Sequence, residues 1–300
     1  MSFSKILMIA TVGAVLVALI IIRDNFDPAS IKGKRAIVTG ASTGIGEQIA
    51  YWYCKLGARV LVTARREAVL QKVVEKCKDL GAEEAFYMPL DMGRLNDTEA
   101  LVKEAEKRFG GLDFLILNHI YSNYLHLWGI NEIDRLQKIM DVNFRAYVSL
   151  ATYSTPMLAE SKGSIGVVSS VAGLISVPLY PSYSASKFAL HGFFGSLRHD
   201  YYFKHMDISI TEHIIGPINT TNAVKFSKGV YEPSMFSTTS ADTAYRIIEG
   251  TAMRERMVFF PRWVQPITMV RDLIPWFVEN MMRARITDDA IENMKKIPKN

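Results

Sequence analysis

A tyrosine and a lysine stand four residues apart, at Tyr183 and Lys187, in a stretch with helical character. Residues at this spacing lie on one face of a helix, so both side chains can reach the same site. A free tyrosine has a pKa of about 10, and a neighbouring ammonium group favours its charged form. The pair predicts a tyrosine that exchanges a proton with a substrate. The alternative is an ordinary pair on a helix surface.

A serine, Ser170, precedes Tyr183 by thirteen residues and ends the apolar segment that begins at Ser164. In open α/β sheets, ligands bind at the carboxyl ends of the strands. A hydroxyl at such an end can hold a substrate oxygen while Tyr183 gives or takes the proton. The order of the three residues therefore predicts acid–base chemistry at a carbonyl or an alcohol.

A glycine-rich loop follows the first predicted strand and precedes a helical segment that Gly57 ends. Glycine lets such a turn close tightly and lets the backbone approach a pyrophosphate at the positive end of the helix. A tight strand-to-helix turn without a ligand is the alternative, but the position in the first βαβ unit favours a dinucleotide. The predicted cofactor loop comprises Gly40, Ala41, Ser42, Thr43, Gly44, Ile45 and Gly46.

The end of the second predicted strand indicates which dinucleotide binds. An NAD site places Asp or Glu there to bind the ribose hydroxyls, whereas this chain has Arg65 and Arg66. Guanidinium groups bind a phosphate bidentately, and cations at a helix start oppose the helix dipole unless an anion is bound. The arginine pair therefore predicts NADP(H) as cofactor.

Short apolar segments alternate with amphipathic helical ones from Gly33 to Phe260, a pattern typical of βαβ units. The strands are apolar on both faces, as expected for parallel strands covered by helices on both sides. We predict an α/β fold, a Rossmann-like doubly wound parallel sheet of about seven strands. The predicted strands are 35–39, 59–64, 85–88, 112–118, 164–170, 208–214 and 257–260.

The two ends of the chain differ from this central part. Residues 6–22 form an uncharged, apolar run of 17 residues, about 25 Å long as a helix against a hydrocarbon core of about 30 Å. A cleaved signal peptide is disfavoured because no small-x-small site follows. We predict an N-terminal transmembrane anchor (1–23), one catalytic domain (24–262) and a C-terminal helical segment (263–300) that contacts a second subunit or the membrane surface.

Composition excludes several other classes of protein. The net charge of +5 has no Lys/Arg cluster with interleaved aromatic residues, so nucleic acid is not an expected partner. The two cysteines, Cys54 and Cys77, give neither a C-x-x-C pair nor a zinc-binding spacing. Both lie in predicted helices, the fold is not expected to need a disulfide, and the redox compartment is left open.

Taken together, these motifs resemble the short-chain dehydrogenase/reductase family over nearly all of 33–260. The resemblance implies that Tyr183 is the general acid/base, that Lys187 binds the nicotinamide ribose, that Ser170 orients the carbonyl and that Asn143 holds a water of the proton relay. Where the family usually has Asn-Asn-Ala-Gly, this chain has Asn118-His119-Ile120 after Leu117, and His119 is interpreted as a packed residue near adenosine. Further cofactor contacts are implied at Asp91, Met92, Asn118, His119, Ile120, Ile218, Asn219, Thr220, Thr221 and Asn222.

Within that family, the anchor and the segments around the site resemble the branch that interconverts 11-keto and 11-hydroxy glucocorticoids, cortisone and cortisol, with NADP(H). Retinal or a 17-ketosteroid is the alternative substrate, and a noncatalytic NADP-binding scaffold is the alternative class. Apolar lining suits a rigid lipophilic ligand. The predicted substrate contacts are Ser170, Tyr183, Leu127, Tyr180, Pro217, Ala223 and Phe226.

Two observations disagree about the side of the membrane on which the domain lies. The Lys/Arg count beside the anchor favours a cytosolic domain. The resemblance implies a single-pass protein of the endoplasmic reticulum membrane with its catalytic domain in the lumen, and we follow the resemblance. The sequon at Asn96 is then open to glycosylation. The expected partners are a second copy, in a homodimer, and a lumenal NADPH-regenerating dehydrogenase.

Overall fold

The computed structural model describes residues 26–122, 125–220 and 237–296. Over these ranges the centre of the protein is a parallel sheet of seven strands in the order β3-β2-β1-β4-β5-β6-β7. The predicted Rossmann-like sheet is confirmed. The strands are β1 (Arg35–Thr39), β2 (Arg59–Ala64), β3 (Glu84–Pro89), β4 (Phe114–Leu117), β5 (Ser164–Val168), β6 (Ser209–Ile215) and β7 (Met257–Phe260).

Helices cover both faces of the sheet, and each face has its own buried apolar cluster. One cluster joins the sheet to α1, α2 and α7, and the other joins it to α3, α5 and α6. This double covering explains why the strands are apolar on both faces. The helices are α1 (Gly44–Lys55), α2 (Glu67–Asp79), α3 (Leu95–Phe109), α4 (Ile133–Met140), α5 (Ala146–Ser161), α6 (Pro181–Phe203), α7 (Ser240–Ala252), α8 (Val264–Val270), α9 (Pro275–Arg283) and α10 (Asp288–Lys296).

The order of the strands reverses at β1, which pairs with β2 on one side and with β4 on the other. The connections leaving these two neighbours run to opposite faces of the sheet, so a crevice opens at their carboxyl ends. The glycine loop follows β1, and Asn118 follows β4. The topology therefore places the predicted cofactor loop at the crevice.

Two predicted strands are shorter in the structure. The segment 112–118 pairs only as β4, and the segment 164–170 pairs as β5 only to Val168. The reason at the second site is local: Ser170 Oγ accepts a hydrogen bond from the backbone N of Ala172 at 3.2 Å and starts a 3-10 turn, Val171–Gly173. Ser170 thus lies on a turn beyond the strand end.

A disulfide joins Cys54 of α1 to Cys77 of α2, with Cα atoms 5.3 Å apart. The sequence did not predict this crosslink. Neither residue sits in a recognisable spacing, and only the packing of the two helices side by side on one face of the sheet brings them together. Both side chains are fully buried.

The C-terminal segment consists of short helices, α8 to α10, with Pro275 as the first residue of α9. Large apolar side chains remain exposed here, among them Leu273, Trp276 and Phe277. The predicted anchor lies outside the described residues. Within the described ranges, no helix is both long enough and apolar enough to cross a bilayer. The domain limits at 23/24 and 262/263 stay predictions.

Candidate active site

A cleft of about 1190 Å³ opens at the carboxyl ends of the central strands. It is the place where most of the predicted site residues meet, although they are spread over nearly 180 positions of the chain. Those that line it are Gly40, Ser42, Thr43, Gly44, Ile45, Gly46, Arg65, Arg66, Asp91, Met92, Asn118, His119, Ile120, Ser170, Tyr180, Tyr183, Lys187, Pro217, Ile218 and Thr220. The predicted contacts Thr221, Asn222, Ala223 and Phe226 lie outside the described residues.

Four predicted residues do not line the cleft, and one of them, Asn143, is described below. Ala41 is buried beneath the loop, where its backbone N donates to Thr63 O. Asn219 is exposed, and its backbone N donates to Thr238 O at 3.1 Å. Leu127 lines an adjoining cavity of about 560 Å³, together with Trp128 and Phe188. Ala41, Asn219 and Leu127 were predicted to line the cofactor and substrate cleft because they lie in the loops around it. In the structure, these loops place the three side chains outside the lining of the cleft.

The glycine loop has the geometry that a bound pyrophosphate requires. Gly40 and Gly44 have φ values of +67° and +63°, in the left-handed region that favours glycine. A Cβ on Gly46 would lie 2.3 Å from Gly40 O, so a side chain does not fit there. The loop leads directly into the N-terminus of α1, where backbone N–H groups and the helix dipole favour an anion.

Asn118 holds this loop in place from the neighbouring strand. Its Nδ2 donates to Thr39 O at 3.0 Å and to Gly40 O at 3.4 Å. Its backbone N donates to Thr39 Oγ1 at 2.9 Å. The predicted cofactor residue therefore acts on the loop itself, by fixing the end of β1.

Arg66 lies across the loop, at the start of α2. Its Nη2 donates to both Ser42 O and Ser42 Oγ at 3.1 Å. Arg65 lines the same end of the cleft, and both arginines are exposed. Two cationic forks beside the glycine loop fit a phosphate on the adenosine ribose.

Ser170 and Tyr183 both line the other end of the cleft, where the Ser170 hydroxyl lies near the Tyr183 hydroxyl and favours its charged form. Tyr180 stacks on this tyrosine with ring centroids 4.7 Å apart and pairs through its own hydroxyl with Ser122. Burial raises the pKa of Tyr183, and the neighbouring Tyr180 raises it further. The nearby Ser170 hydroxyl lowers this pKa by a smaller amount. The phenol therefore keeps its proton.

Lys187 lies one turn beyond Tyr183 and is almost completely buried. Its Nζ donates to Val168 O at 2.8 Å and lies 5.8 Å from the centroid of the Tyr183 ring. Burial lowers the pKa of Lys187 to about 7. Among the chain's own groups, desolvation is the largest influence on the pKa of Tyr183 and raises it. The expectation that the Lys187 ammonium, together with the positive charge of an oxidised nicotinamide, lowers this pKa stays a prediction.

Asn143 lies in a π-helical turn, Asp141–Arg145, between α4 and α5. Its Oδ1 accepts from the backbone N of Tyr121 at 2.7 Å, and its Nδ2 donates to Tyr121 O at 2.9 Å and to Ser186 Oγ at 3.3 Å. These bonds attach the loop after β4 to the helix that carries Tyr183. The role at a relay water stays a prediction.

His119 is a buried bridge that sequence reasoning treated only as a packed residue. Its Nε2 donates to Val142 O at 3.0 Å, and its Nδ1 lies 2.8 Å from Thr39 Oγ1. Burial lowers the pKa of His119 to about 3, so the imidazole is neutral at physiological pH. The ring therefore connects β1 to the turn that carries Asn143. The hydroxyl of Thr39, at the end of a buried strand, was the signal that could have indicated this.

Comparison with known proteins agrees with this geometry. The model of the short chain dehydrogenase family matches residues 34–230, so the chain belongs to that family. It is an oxidoreductase acting on CH–OH groups. Its sheet superposes on a short chain dehydrogenase/reductase from Burkholderia phymatum in complex with NAD, with a TM-score of 0.73, 20% identity and coverage of 82% of this chain and 95% of that one.

Among its relatives, the chain resembles 11-beta-hydroxysteroid dehydrogenase type 1. The hydroxysteroid 11-beta-dehydrogenase 1-like protein of Gallus gallus is 44% identical over 273 residues, which cover 91% of this chain and 94% of the relative. The protein of the same name from Xenopus tropicalis is 42% identical, with coverage of 87% and 92%.

Proposed function

We propose that the protein is an NADP(H)-dependent 11-beta-hydroxysteroid dehydrogenase that reduces 11-keto glucocorticoids, cortisone to cortisol. The observation that carries the proposal is the placement of Ser170 and Tyr183 beside each other in the same cleft as the glycine loop. The names of the relatives support the steroid as substrate.

The chain's own residues divide the work of the reduction. Bound NADPH would supply the hydride. The Ser170 hydroxyl is placed to donate a hydrogen bond to the substrate carbonyl, and Tyr183 is placed to deliver the proton that this oxygen needs. Lys187, with its Nζ held by Val168 O, is the residue that would face the nicotinamide ribose.

The cofactor preference can be tested at the arginine pair. We expect the double substitution Arg65→Ser and Arg66→Ser to raise the KM for NADPH at least about 100-fold, because it removes two guanidinium groups and hydrogen bonds to charged groups contribute about 1.5–3 kcal/mol each. The KM for NADH, measured on the same variant, is expected to stay within about threefold, since NADH has no 2′-phosphate. An equal rise for both cofactors would contradict the role of the arginines.

The substrate can be tested with a panel of carbonyl compounds. The cleft beside Tyr183 has an apolar side formed by Leu125, Val177 and Tyr180, which suits a rigid lipophilic molecule. We expect NADPH oxidation by the detergent-solubilised full chain with an 11-keto steroid, and at least tenfold lower kcat/KM with a 17-ketosteroid or retinal. Turnover of retinal or the 17-ketosteroid alone would contradict the steroid specificity.

We also propose a single-pass protein of the endoplasmic reticulum membrane with its domain in the lumen. The disulfide between Cys54 and Cys77 supports an oxidising compartment, and Asn96, on the first turn of α3, is exposed. We expect an endoglycosidase to shift the protein from cells on a gel, and Asn96→Gln to abolish the shift. The lumenal location would be contradicted by a protein that carries no glycan and whose Cys54 and Cys77 both react, as free thiols, with a blocking reagent applied to intact cells.

Two protein partners are consistent with the proposed function and location. We propose that a second copy covers part of the apolar surface formed by Leu273, Trp276 and Phe277, which are 79%, 65% and 50% exposed. A lumenal dehydrogenase that regenerates NADPH would supply the reduced cofactor.

A further inference from the structure

A buried polar chain lies beside the catalytic pair, between α6 and the sheet. Ser169 Oγ lies 2.9 Å from His191 Nε2, and His191 Nδ1 bonds a carboxylate oxygen of Glu212. Arg198 Nη1 contacts the other oxygen of Glu212 at 2.8 Å. Because a carboxylate only accepts, Nδ1 carries a hydrogen and donates to Glu212, and in a neutral imidazole Nε2 would then accept from the serine.

The chain is well protected from solvent. Ser169 is 3% exposed and Glu212 is 2% exposed. The order serine, histidine, carboxylate is that of a hydrolytic triad. A hydrolytic role does not follow, however, because Ser169 is almost completely buried and the serine beside Tyr183 is the next residue, Ser170. The contacts point to a role in holding Ser170.

The backbone around Ser170 is held on one side by the sheet and on the other by His191 of the polar chain. Before it, the backbone N of Ser169 donates to His213 O at 2.9 Å, which continues the pairing of β5 with β6. After it, the 3-10 turn packs on His191 so closely that a Cβ on Gly173 would lie 2.8 Å from His191 Nε2. Movement of the imidazole would therefore move the turn that Ser170 caps.

The other end of the contact lies on the catalytic helix. Tyr183, Lys187 and His191 follow one another at intervals of four on one face of α6. Lys187 and His191 bind Val168 and Ser169, two consecutive residues at the strand end. The helix that carries the tyrosine is thus fixed to the strand end that carries the serine.

We propose that Ser169 and His191 are positioning residues that set Ser170 against Tyr183, and that Glu212 and Arg198 hold the imidazole in the required orientation. The proposal rests on the proposed function for its effect on turnover. Its structural part concerns the turn Val171–Gly173 and can be measured without a substrate.

The experiment compares Ser169→Ala and His191→Leu with Ser154→Ala in the full chain. Ser154 is a buried serine of α5 whose hydroxyl has no partner among the described residues, so its removal breaks no hydrogen bond. Amide hydrogen exchange is followed by mass spectrometry over residues 171–175. The kcat, the KM for the 11-keto steroid and the Kd for NADPH are measured in parallel.

We expect both test variants to speed exchange over 171–175 at least tenfold and to lower kcat about 10- to 100-fold, with Kd for NADPH within twofold. Ser154→Ala is expected to leave all of these within twofold of the wild type. His191→Gln keeps a hydrogen-bond donor and an acceptor. Its kcat is expected to be at least tenfold higher than that of His191→Leu.

Unchanged exchange over 171–175 in Ser169→Ala would overturn the proposal. So would a loss of NADPH affinity equal to the loss of kcat in both test variants, because a general loss of structure predicts both. If the wild type reduces none of the carbonyl compounds, the proposed function fails, while the exchange measurement still decides whether the polar chain holds the serine turn.

Discussion

Replacement of Tyr183 by phenylalanine is expected to lower kcat for the 11-keto steroid about 10²- to 10⁴-fold, the usual contribution of a positioned general acid. The substitution removes one oxygen and leaves the ring that stacks on Tyr180. Affinity for NADPH, measured by the change in its fluorescence on binding, is expected to stay within about threefold. The proposed cofactor contacts lie mainly at the far end of the cleft, on the glycine loop and the arginines.

Tyr202 provides a matched control on the same helix. It is 76% exposed, so Tyr202→Phe removes a hydroxyl that faces solvent and is expected to leave kcat unchanged. Tyr183→Phe with more than a tenth of the wild-type kcat would show that another group delivers the proton, and would favour a different mechanism.

The protonation state of the site suits reduction. The raised pKa of Tyr183 keeps a proton on the phenol, which is the form that a carbonyl oxygen needs when it accepts a hydride. The four-residue spacing between Tyr183 and Lys187 had instead indicated a lowered pKa for the tyrosine. The size of the desolvation effect depends on Tyr180, Tyr147 and the strand end, which only the folded chain brings around the two side chains.

What sequence could predict is what local rules determine. The seven strands, the glycine loop and the face shared by Tyr183 and Lys187 each depend on residues close together in the chain, where periodicity and turn chemistry decide the outcome. The end of β5 was less predictable. Ser170 follows an apolar strand directly, but its side chain caps the next turn, so the strand ends before it.

The features that sequence could not predict depend on how separate elements pack. Cys54 and Cys77 lie on different helices and meet only because α1 and α2 pack side by side. Glu212 and His191 belong to no common sequence motif. Nothing in the sequence around Glu212, a residue of β6, indicated that it pairs with a buried histidine. The position of Leu127 in the adjoining cavity was not predictable for the same reason, because tertiary contacts set the direction of a loop side chain.

Substitution of Gly46 by alanine is expected to destabilise the fold by about 1–3 kcal/mol, the typical effect of overpacking, and to lower NADPH affinity at least about 100-fold. Helix propensity alone predicts the opposite, since alanine is about 1 kcal/mol more favourable than glycine inside a helix. At this position, however, a Cβ would lie 2.3 Å from Gly40 O and 2.4 Å from Asn118 Nδ2. Relief of these contacts must displace the backbone of the loop that would hold the pyrophosphate.

Gly192 separates the two effects, because it also lies inside a helix but a Cβ there would meet no atom within 4 Å. Gly192→Ala is expected to raise the free energy of unfolding by up to about 1 kcal/mol and to leave NADPH affinity unchanged. Denaturant unfolding and NADPH titration of the two variants give the comparison. If Gly46→Ala binds NADPH as the wild type does, the loop does not hold the cofactor, whereas destabilisation by Gly192→Ala would show that the close contact at Gly46 is not what distinguishes the two glycines.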